Sequence, residues 1–278
     1  MSDNTPVIEL RNVDKSFGPI DVLHEISLKV GAGEVLCLLG DNGAGKSTLI
    51  KTLAGVHAPT RGEILVDGEP VSFSGPRDAQ ERGIATVHQF GGTYPLMSIG
   101  RNFFMGVEPT KGFGPFKIFD RAKANKIAVE EVQKMGITRI TDGDRLVGGL
   151  SGGERQSLAI ARAVYFGARI LILDEPTAAL GVKQAAHVLR IVNEAKKRGL
   201  AVIFITHQVM HAMAVGDHFA VLIRGAIAAD FRKGEKSREE IADLMAGGES
   251  MADLEASIEG YMETHDGHPP KVGQEASA

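Results

Sequence analysis

Nine consecutive residues, Gly40-Asp41-Asn42-Gly43-Ala44-Gly45-Lys46-Ser47-Thr48, restrict this chain more than any other stretch. Three glycines let the backbone turn through conformations that side chains oppose, and such a turn can wrap its N–H groups around an anion. The spacing fits G-x-x-x-x-G-K-[ST], with a buried-strand run (VLCLL) before it and a helix opening at Lys46 after it. In that setting Lys46 supplies a cation for the β and γ phosphates of a nucleotide, and Ser47 places a hydroxyl on Mg²⁺. The plain alternative, an ordinary glycine-rich strand–helix turn, does not call for Lys-Ser-Thr. A strand feeding a helix through a phosphate loop implies an α/β fold, a mixed sheet with helical crossovers.

The flanking sequence fills in that P-loop NTPase core. Val7–Asn12, Ile26–Val30 and Ile64–Val66 have β-rich composition and glycine-containing breaks, giving an N-terminal antiparallel β region. From about 90 to 155 the texture changes to a helical insert. Its glycine- and proline-rich loop carries Phe113, Phe116 and Phe119, for which local packing is favoured over contact with a partner. After Ser151 a βα pattern resumes: a helix, the strand RILILD, a helix over Val182–Lys197, the strand AVIFITH and a final strand near HFAVLIRG. KSREEIADLMAG reads as a terminal helix and MADLEASIEGYMET as another short one. The expected division is a catalytic domain over 1–247 and a polar, partly disordered extension over 248–278.

Composition narrows the function. Of 278 residues 43% are apolar, enough for a full core. A net charge of −4 and a pI near 6.2 give no basis for a nucleic-acid partner. The single cysteine, Cys37, sits among apolar neighbours and excludes an intramolecular disulfide, which agrees with a reducing compartment. MSDNTPVIEL has no secretory pattern, and runs such as LAVIFITH are too short to cross a bilayer. Work at a membrane would require a partner that spans it.

The second half of the nucleotide site is RILILDEPTAAL. Asp174 ends a buried strand and suits the Mg²⁺ shell, leaving Glu175 to face an attacking water, because successive residues leaving a strand point in different directions. His207, at the end of AVIFITH, fits either a γ-phosphate sensor or a structural histidine, and His211 and His218 weaken any argument from residue type alone. Gln89 in ATVHQF, at a strand-to-insert junction, offers an amide oxygen to Mg²⁺ or water, or serves only the local loop. No Cys or carboxylate accompanies these histidines at zinc-ligand spacing. LSGGERQSLAIARA, from Leu150 to Ala163, places Ser151, Gly152 and Gly153 at the head of an amphipathic helix, a second turn able to grasp an anion.

Together these motifs, from about Val7 to Gly247, resemble the ATP-binding subunit of ABC transporters. The resemblance implies ATP and Mg²⁺ as cofactors, and a second copy of the chain sandwiching two ATP molecules head to tail. Leu150, Ser151, Gly152, Gly153 and Glu154 would then form a turn contacting the ATP held by the partner's Gly40–Thr48 loop. It further implies that Phe17 stacks on adenine, Gln89 reaches Mg²⁺ and water, Glu175 promotes hydrolysis and His207 acts as the switch histidine. Two departures stand out: Ala178-Ala179-Leu180-Gly181 where the family commonly has Ser-Ala-Leu-Asp, and Glu154 where it has Gln. PLMSIGRNFFMGVEP and IADLMAGG look like ATPase subunits of bacterial ribose/fructose-type monosaccharide importers. That likeness implies a homodimer on an integral membrane permease, with Met97, Phe103 and Phe104 near its coupling helix unless they pack inside the insert. It also implies an indirect extracytoplasmic sugar-binding protein and a peripheral position on the cytoplasmic face of the bacterial inner membrane. Another transported substrate, or a soluble relative in DNA repair or translation, is the competing reading; a non-hydrolysing scaffold is disfavoured by Lys46 and Glu175.

Overall fold

The computed structural model describes residues 5–88 and 92–246. An antiparallel pair, β1 (Ile8–Phe17) and β2 (Ile20–Val30), leads into β3 (Val35–Leu39), the phosphate loop and α1 (Lys46–Leu53). β4 (Arg61–Val66) and β5 (Glu69–Val71) return to that pair and complete an antiparallel sheet of order β2-β1-β4-β5. After α2 (Pro76–Glu81) and β6 (Ile84–Val87) come α3 (Ile99–Phe103), a hairpin of β7 (Thr110–Lys111) with β8 (Ile118–Phe119), and α4 (Arg121–Lys134). The chain then alternates through α5 (Gly152–Tyr165), β9 (Ile170–Asp174), α6 (Val182–Lys197), β10 (Ala201–Thr206), α7 (Val209–Val215) and β11 (His218–Ile223). It closes with β12 (Ala226–Arg232) and α8 (Arg238–Met245). The second sheet has order β12-β11-β3-β10-β9-β6, parallel throughout except for β12.

Period-two alternation divides the core into two layers. Cys37, Leu39, Leu173, Val202 and Phe204 face one side of the second sheet, against the insert and α5 to α8. Leu36, Leu38, Ile172, Ile203 and Ile205 face the other, against α1 and the antiparallel sheet. Strands covered on both faces read as unbroken apolar runs, as β3, β9 and β10 do. Cys37 is fully buried, and burial pushes its thiol well above the usual range.

Two expectations are corrected, and an alternative left open for Phe103 and Phe104 falls to packing. HFAVLIRG is half of a hairpin: the chain reverses at Arg224 (φ 47°) and Gly225 (φ 81°), and Ala226–Arg232 pairs back as β12. Positive φ at both turn residues matches the natural twist of a two-residue hairpin. Phe113 and Phe116 do not pack inward; they are 92% and 81% exposed. Their loop closes on itself instead, with Gly112 against the Phe116 carbonyl and Phe116 N–H donating to Phe113 O at 3.1 Å, so the rings project outward. Phe119 is half-buried beneath the Arg101 guanidinium, 5.2 Å from its centroid. Phe103 and Phe104, by contrast, are buried beneath the exposed rings of Tyr165 and Phe166, which removes them from a docking stripe. Arg162 fastens that cluster by donating to Phe103 O at 2.9 Å and Met105 O at 2.8 Å. The expected second helix at 251–264, with the whole 248–278 extension, lies outside the described residues.

A buried ionic group pins β11 and β12 to the β2–β3 turn. His218, 2% exposed, has Nε2 at 2.5 Å from Asp230 Oδ1 and Nδ1 at 3.5 Å from Glu34 Oε1, and Arg232 also pairs with Glu34. Burial works against charge on Glu34, but the nearby His218 ring and hydrogen bonds from Gly31 N–H and Arg232 bring its carboxyl down to about 2. Burial likewise opposes charge on His218, yet Glu34 and Asp230 raise its pKa overall. A lowered carboxyl stabilises the fold above its unfolded pKa and is lost as pH falls toward about 2. A raised histidine stabilises below its unfolded pKa, near 6.5, and is lost as pH rises through its folded value. Urea unfolding should therefore show stability declining above about pH 6.5, and His218→Gln should flatten that decline. An unchanged pH slope in the variant would count against the assignment.

Candidate active site

β3, β10 and β9 are adjacent and parallel, so their C-terminal ends deliver the phosphate loop, His207 and the Asp174-Glu175 pair to one edge of the sheet. Ligands in open α/β sheets gather beyond such carboxyl ends. Gly40 leaves β3 at φ 153°, and a Cβ there would stand 2.4 Å from Leu222 O. Gly43 has φ 85°, and Gly45, at φ 108°, opens α1 and accepts from Thr48 N–H and Leu49 N–H at 3.0 Å. From outside, Gly225 N–H donates to Ala44 O at 2.9 Å, so the β11–β12 turn buttresses the loop. Asp41 and Asn42 are exposed, as is Ser47, whose hydroxyl opens the first turn of α1.

Lys46 is 8% exposed and bends back into its own loop, donating Nζ to Gly40 O at 2.5 Å and Asp41 O at 3.0 Å. An ammonium has three donors, so one remains for a phosphate oxygen. Phe17, at the end of β1, is 42% exposed; its ring meets His57 edge-on, with centroids 5.1 Å apart, and Lys15 Nζ lies 4.9 Å from its centroid.

Glu175 and His207, 32 residues apart, are in direct contact: Glu175 Oε1 accepts from His207 N–H at 3.1 Å and lies 2.9 Å from His207 Nδ1. Thr206 Oγ1 lies 3.2 Å from Oε2 of the same carboxylate. Asp174 points elsewhere, with Oδ2 at 3.5 Å from His88 Nδ1. The divergence comes from a left-handed Glu175 (φ 47°), whose N–H donates to Ile205 O at 3.0 Å, and not from strand alternation alone. Sequence reasoning missed Thr206 and His88, although both occupy the strand-end positions beside residues it singled out. His211 has a structural place, its Nδ1 2.9 Å from the buried Thr177 hydroxyl. Gln89 lies outside the described residues. No group of three or more His, Cys, Asp or Glu able to hold a metal occurs among the described residues.

The LSGG turn owes its composition to two local demands. Ser151 caps α5: Glu154 N–H donates to its Oγ at 3.3 Å, while Ser151 N–H donates to Glu154 Oε2 at 2.8 Å. This reciprocal box occupies the Glu154 carboxylate, which is held below the usual range: burial opposes, and the Ser151 bonds, Arg145 and Arg139 outweigh it. The glycines admit α6, since a Cβ on Gly152 would lie 2.6 Å from Leu180 Cδ2 and one on Gly153 3.3 Å from Gln184 O. Leu150 anchors the turn from below, 3% exposed. The cleft at Ser151, Gly153 and Glu154 is walled by 136–139 and 183–190, with no phosphate-loop residue.

A glycine-rich strand–helix loop with a buried lysine, set beside strand-end carboxylates, is an arrangement suited to the phosphates of a nucleotide. The fold matches a crystal structure of an ATP-binding cassette of an ABC transporter in its ADP conformation, with a TM-score of 0.74 at 23% identity, covering 90% of this chain and 98% of the other. Residues 23–178 match the ABC transporter family. The xylose/arabinose import ATP-binding protein of Sulfolobus acidocaldarius is 43% identical over 88% of this chain and 94% of its own length. The fructose import ATP-binding protein of Rhizobium meliloti is 38% identical over 78% of this chain and 84% of its own. The chain spans about half the length of matched ribose import relatives from Streptomyces, 47% in each case. It belongs to the ABC transporter family.

The loop glycines differ in what they tolerate. A methyl group added at Gly43 would meet no atom within 4 Å, so Gly43→Ala should cost only the left-handed penalty, about 1–2 kcal/mol. Gly40→Ala meets the Leu222 carbonyl as well, and should lose more stability and nucleotide binding together. Denaturant unfolding of the two variants checks the order; equal losses would contradict it.

Proposed function

We propose that this chain hydrolyses ATP and that a second copy and a membrane permease convert the hydrolysis into import of a monosaccharide. The observation that carries the hydrolytic part is the Glu175–His207 contact at the strand ends beside the phosphate loop. The sugar rests on relatives named for xylose/arabinose and fructose import. No helix among the described residues is long and apolar enough to cross a membrane, so a permease would supply the path. In this reading the chain works at the cytoplasmic face of the bacterial inner membrane.

The proposed roles join this geometry to the family resemblance. Loop N–H groups and Lys46 cradle the phosphates, and Phe17 stacks on adenine. The Ser47 hydroxyl and Asp174 carboxylate, with Gln89, are the hard oxygen donors that suit Mg²⁺, which would offset phosphate charge. Glu175 has about four acceptor positions and uses three on Thr206 and His207, leaving one on Oε2 to take a proton from water as it attacks the γ-phosphorus. As the new P–O bond forms, the bond to ADP breaks. With Nδ1–H donated to Glu175, neutral His207 presents Nε2 as an acceptor that orients water; the protonated ring donates there to phosphate. Ser151 and Gly153 of one copy would complete the site of the other, so closure requires a bound γ-phosphate.

Glu175→Gln tests the chemistry with little disturbance of the fold: Oε1 still accepts from His207, and the amide N–H₂ donates to Thr206 Oγ1. Single-turnover hydrolysis should fall by roughly 10²–10⁴-fold while ATP binding persists. Wild-type turnover in the variant would remove Glu175 from that role.

The docking face is testable too. Phe113, Phe116 and Leu96, each more than 80% exposed, belong to the same insert and suit an apolar partner surface. Phe113→Ser/Phe116→Ser should leave thermal unfolding unchanged and reduce copurification of a polytopic permease from detergent-solubilised membranes. Undiminished recovery would place the permease contact elsewhere.

A further inference from the structure

A second contact lies beside the one between Glu175 and His207. His211 Nδ1 stands 2.9 Å from the Thr177 hydroxyl. The two pairs form a ladder between the turn after β9 and the start of α7. Glu175 and Thr177 are two residues apart on the turn, while His207 and His211 are four apart, about one helical turn. The rungs differ in exposure. The His207 side chain is half exposed, so water competes for its bond to Glu175. Thr177 is 1% exposed and His211 is half-buried, and among the described residues His211 is the only side-chain partner of that hydroxyl.

The turn that carries Glu175 needs such a tie. Glu175 (φ 47°) and Ala179 (φ 59°) are both left-handed, a conformation that a Cβ opposes. Within the turn Ala178 N–H donates to Glu175 O at 3.0 Å, and Leu180 N–H only to Thr177 O at 3.4 Å. Among the described residues no backbone–backbone hydrogen bond joins 176–180 to α7. The helix itself is fixed from its other side: Ala212, next to His211, is fully buried, and its carbonyl accepts from Cys37 Sγ at 3.5 Å. The buried rung therefore fastens a strained turn to a helix anchored in the core. Without it the Thr177 hydroxyl would lack a partner, and a shift of the turn would carry Glu175 with it.

We propose that His211 is a positioning residue for ATP hydrolysis, whose hydrogen bond to Thr177 sets the distance at which Glu175 and His207 meet. It acts only through that pair, so its role rests on the hydrolytic reading above.

The test substitutes His211 in the full chain, with circular dichroism as the folding check. His211→Leu removes the hydrogen bond. His211→Asn keeps a polar atom two bonds beyond Cβ, where Nδ1 stands, and His211→Gln moves it one bond further. Single-turnover hydrolysis should fall roughly 10- to 100-fold in the leucine and glutamine variants, as for a lost buried hydrogen bond and a misplaced Glu175, and asparagine should restore most of it. ATP affinity should stay close to wild type in all three. Thr177→Val deletes the hydroxyl from the other side, and combined with His211→Leu it should cost no more than either change alone. On Glu175→Gln, His211→Leu should cause no further loss, because the group it positions is already disabled. A readout free of turnover is nuclear magnetic resonance of isotope-labelled histidine. The His207 Nδ1 signal, identified by its absence from His207→Gln, should move in His211→Leu and return in His211→Asn.

Wild-type turnover in His211→Leu overturns the proposal, as does an unmoved His207 signal or an equal loss with leucine and asparagine. If His211→Leu fails the folding check, Thr177→Val decides by the same two measurements. Wild-type turnover in Glu175→Gln is a separate failure, that of the hydrolytic reading, and the His207 signal then decides whether His211 sets the contact.

Discussion

The phosphate loop holds its shape because backbone presses on backbone. Gly40 passes against the Leu222 carbonyl, and Gly225 N–H reaches the Ala44 carbonyl from the opposite hairpin. His24 N–H in turn donates to Gly225 O at 2.8 Å, so β2, the β11–β12 turn and the loop form one hydrogen-bonded stack. A loop with three glycines has much conformational entropy to lose, and a phosphate site is useful only if that loss is met before the ligand arrives. Here the neighbouring hairpin meets it. The ionic group of Glu34, His218, Asp230 and Arg232 lies at the other end of the same hairpin, so a buried histidine helps hold the turn that braces the loop.

Residues that bear on chemistry were legible in the sequence wherever a local pattern fixes a strand end. Apolar runs stop at Asp174 and Thr206, and a chain that alternates in and out of a parallel sheet must bring such ends to a common edge. What no local pattern carries is the contact between them. Glu175 meets His207 through a left-handed turn that belongs to the packed sheet, and propensity gives no sign of it. β12 escaped notice for a related reason: it is an edge strand whose Asp230 and Arg232 interrupt the apolar alternation, and they do so to serve His218 and Glu34. The insert aromatics misled in the opposite sense. Apolar character favours burial only on average, and a short hairpin closed by Gly112 leaves Phe113 and Phe116 no core to enter.

The LSGG turn shows how one sequence answers two requirements. Within the chain, Ser151 and Glu154 cap α5, and Gly152 and Gly153 let α6 approach it closely. A capped helix start with no Cβ at its first two positions is also a surface of N–H groups that an anion can approach. Intrachain packing and a contact across a dimer therefore select the same residues, and the presence of LSGG cannot by itself separate them.

The start of α6 departs from that economy. Gly181 occupies its N-cap with extended backbone (φ −67°, ψ 158°) and offers no side-chain acceptor, so Gln184 N–H and Ala185 N–H rely on the Gly181 carbonyl alone. An Asp or Ser at that position would accept from the first turn and place a partial negative charge at the positive end of the helix dipole. Without one, the N-terminal turn of α6 keeps its positive potential, and Lys183 adds a full charge two residues later. The same helix then presents Arg190 two turns on, along the wall that includes Lys183 and His187. An uncapped start and a lysine and an arginine with no carboxylate partner among the described residues thus reinforce one electrostatic feature. The replacement of the family's usual aspartate by Gly181 makes this end of α6 more attractive to an anion, at a cost of a few tenths of a kcal/mol in helix stability.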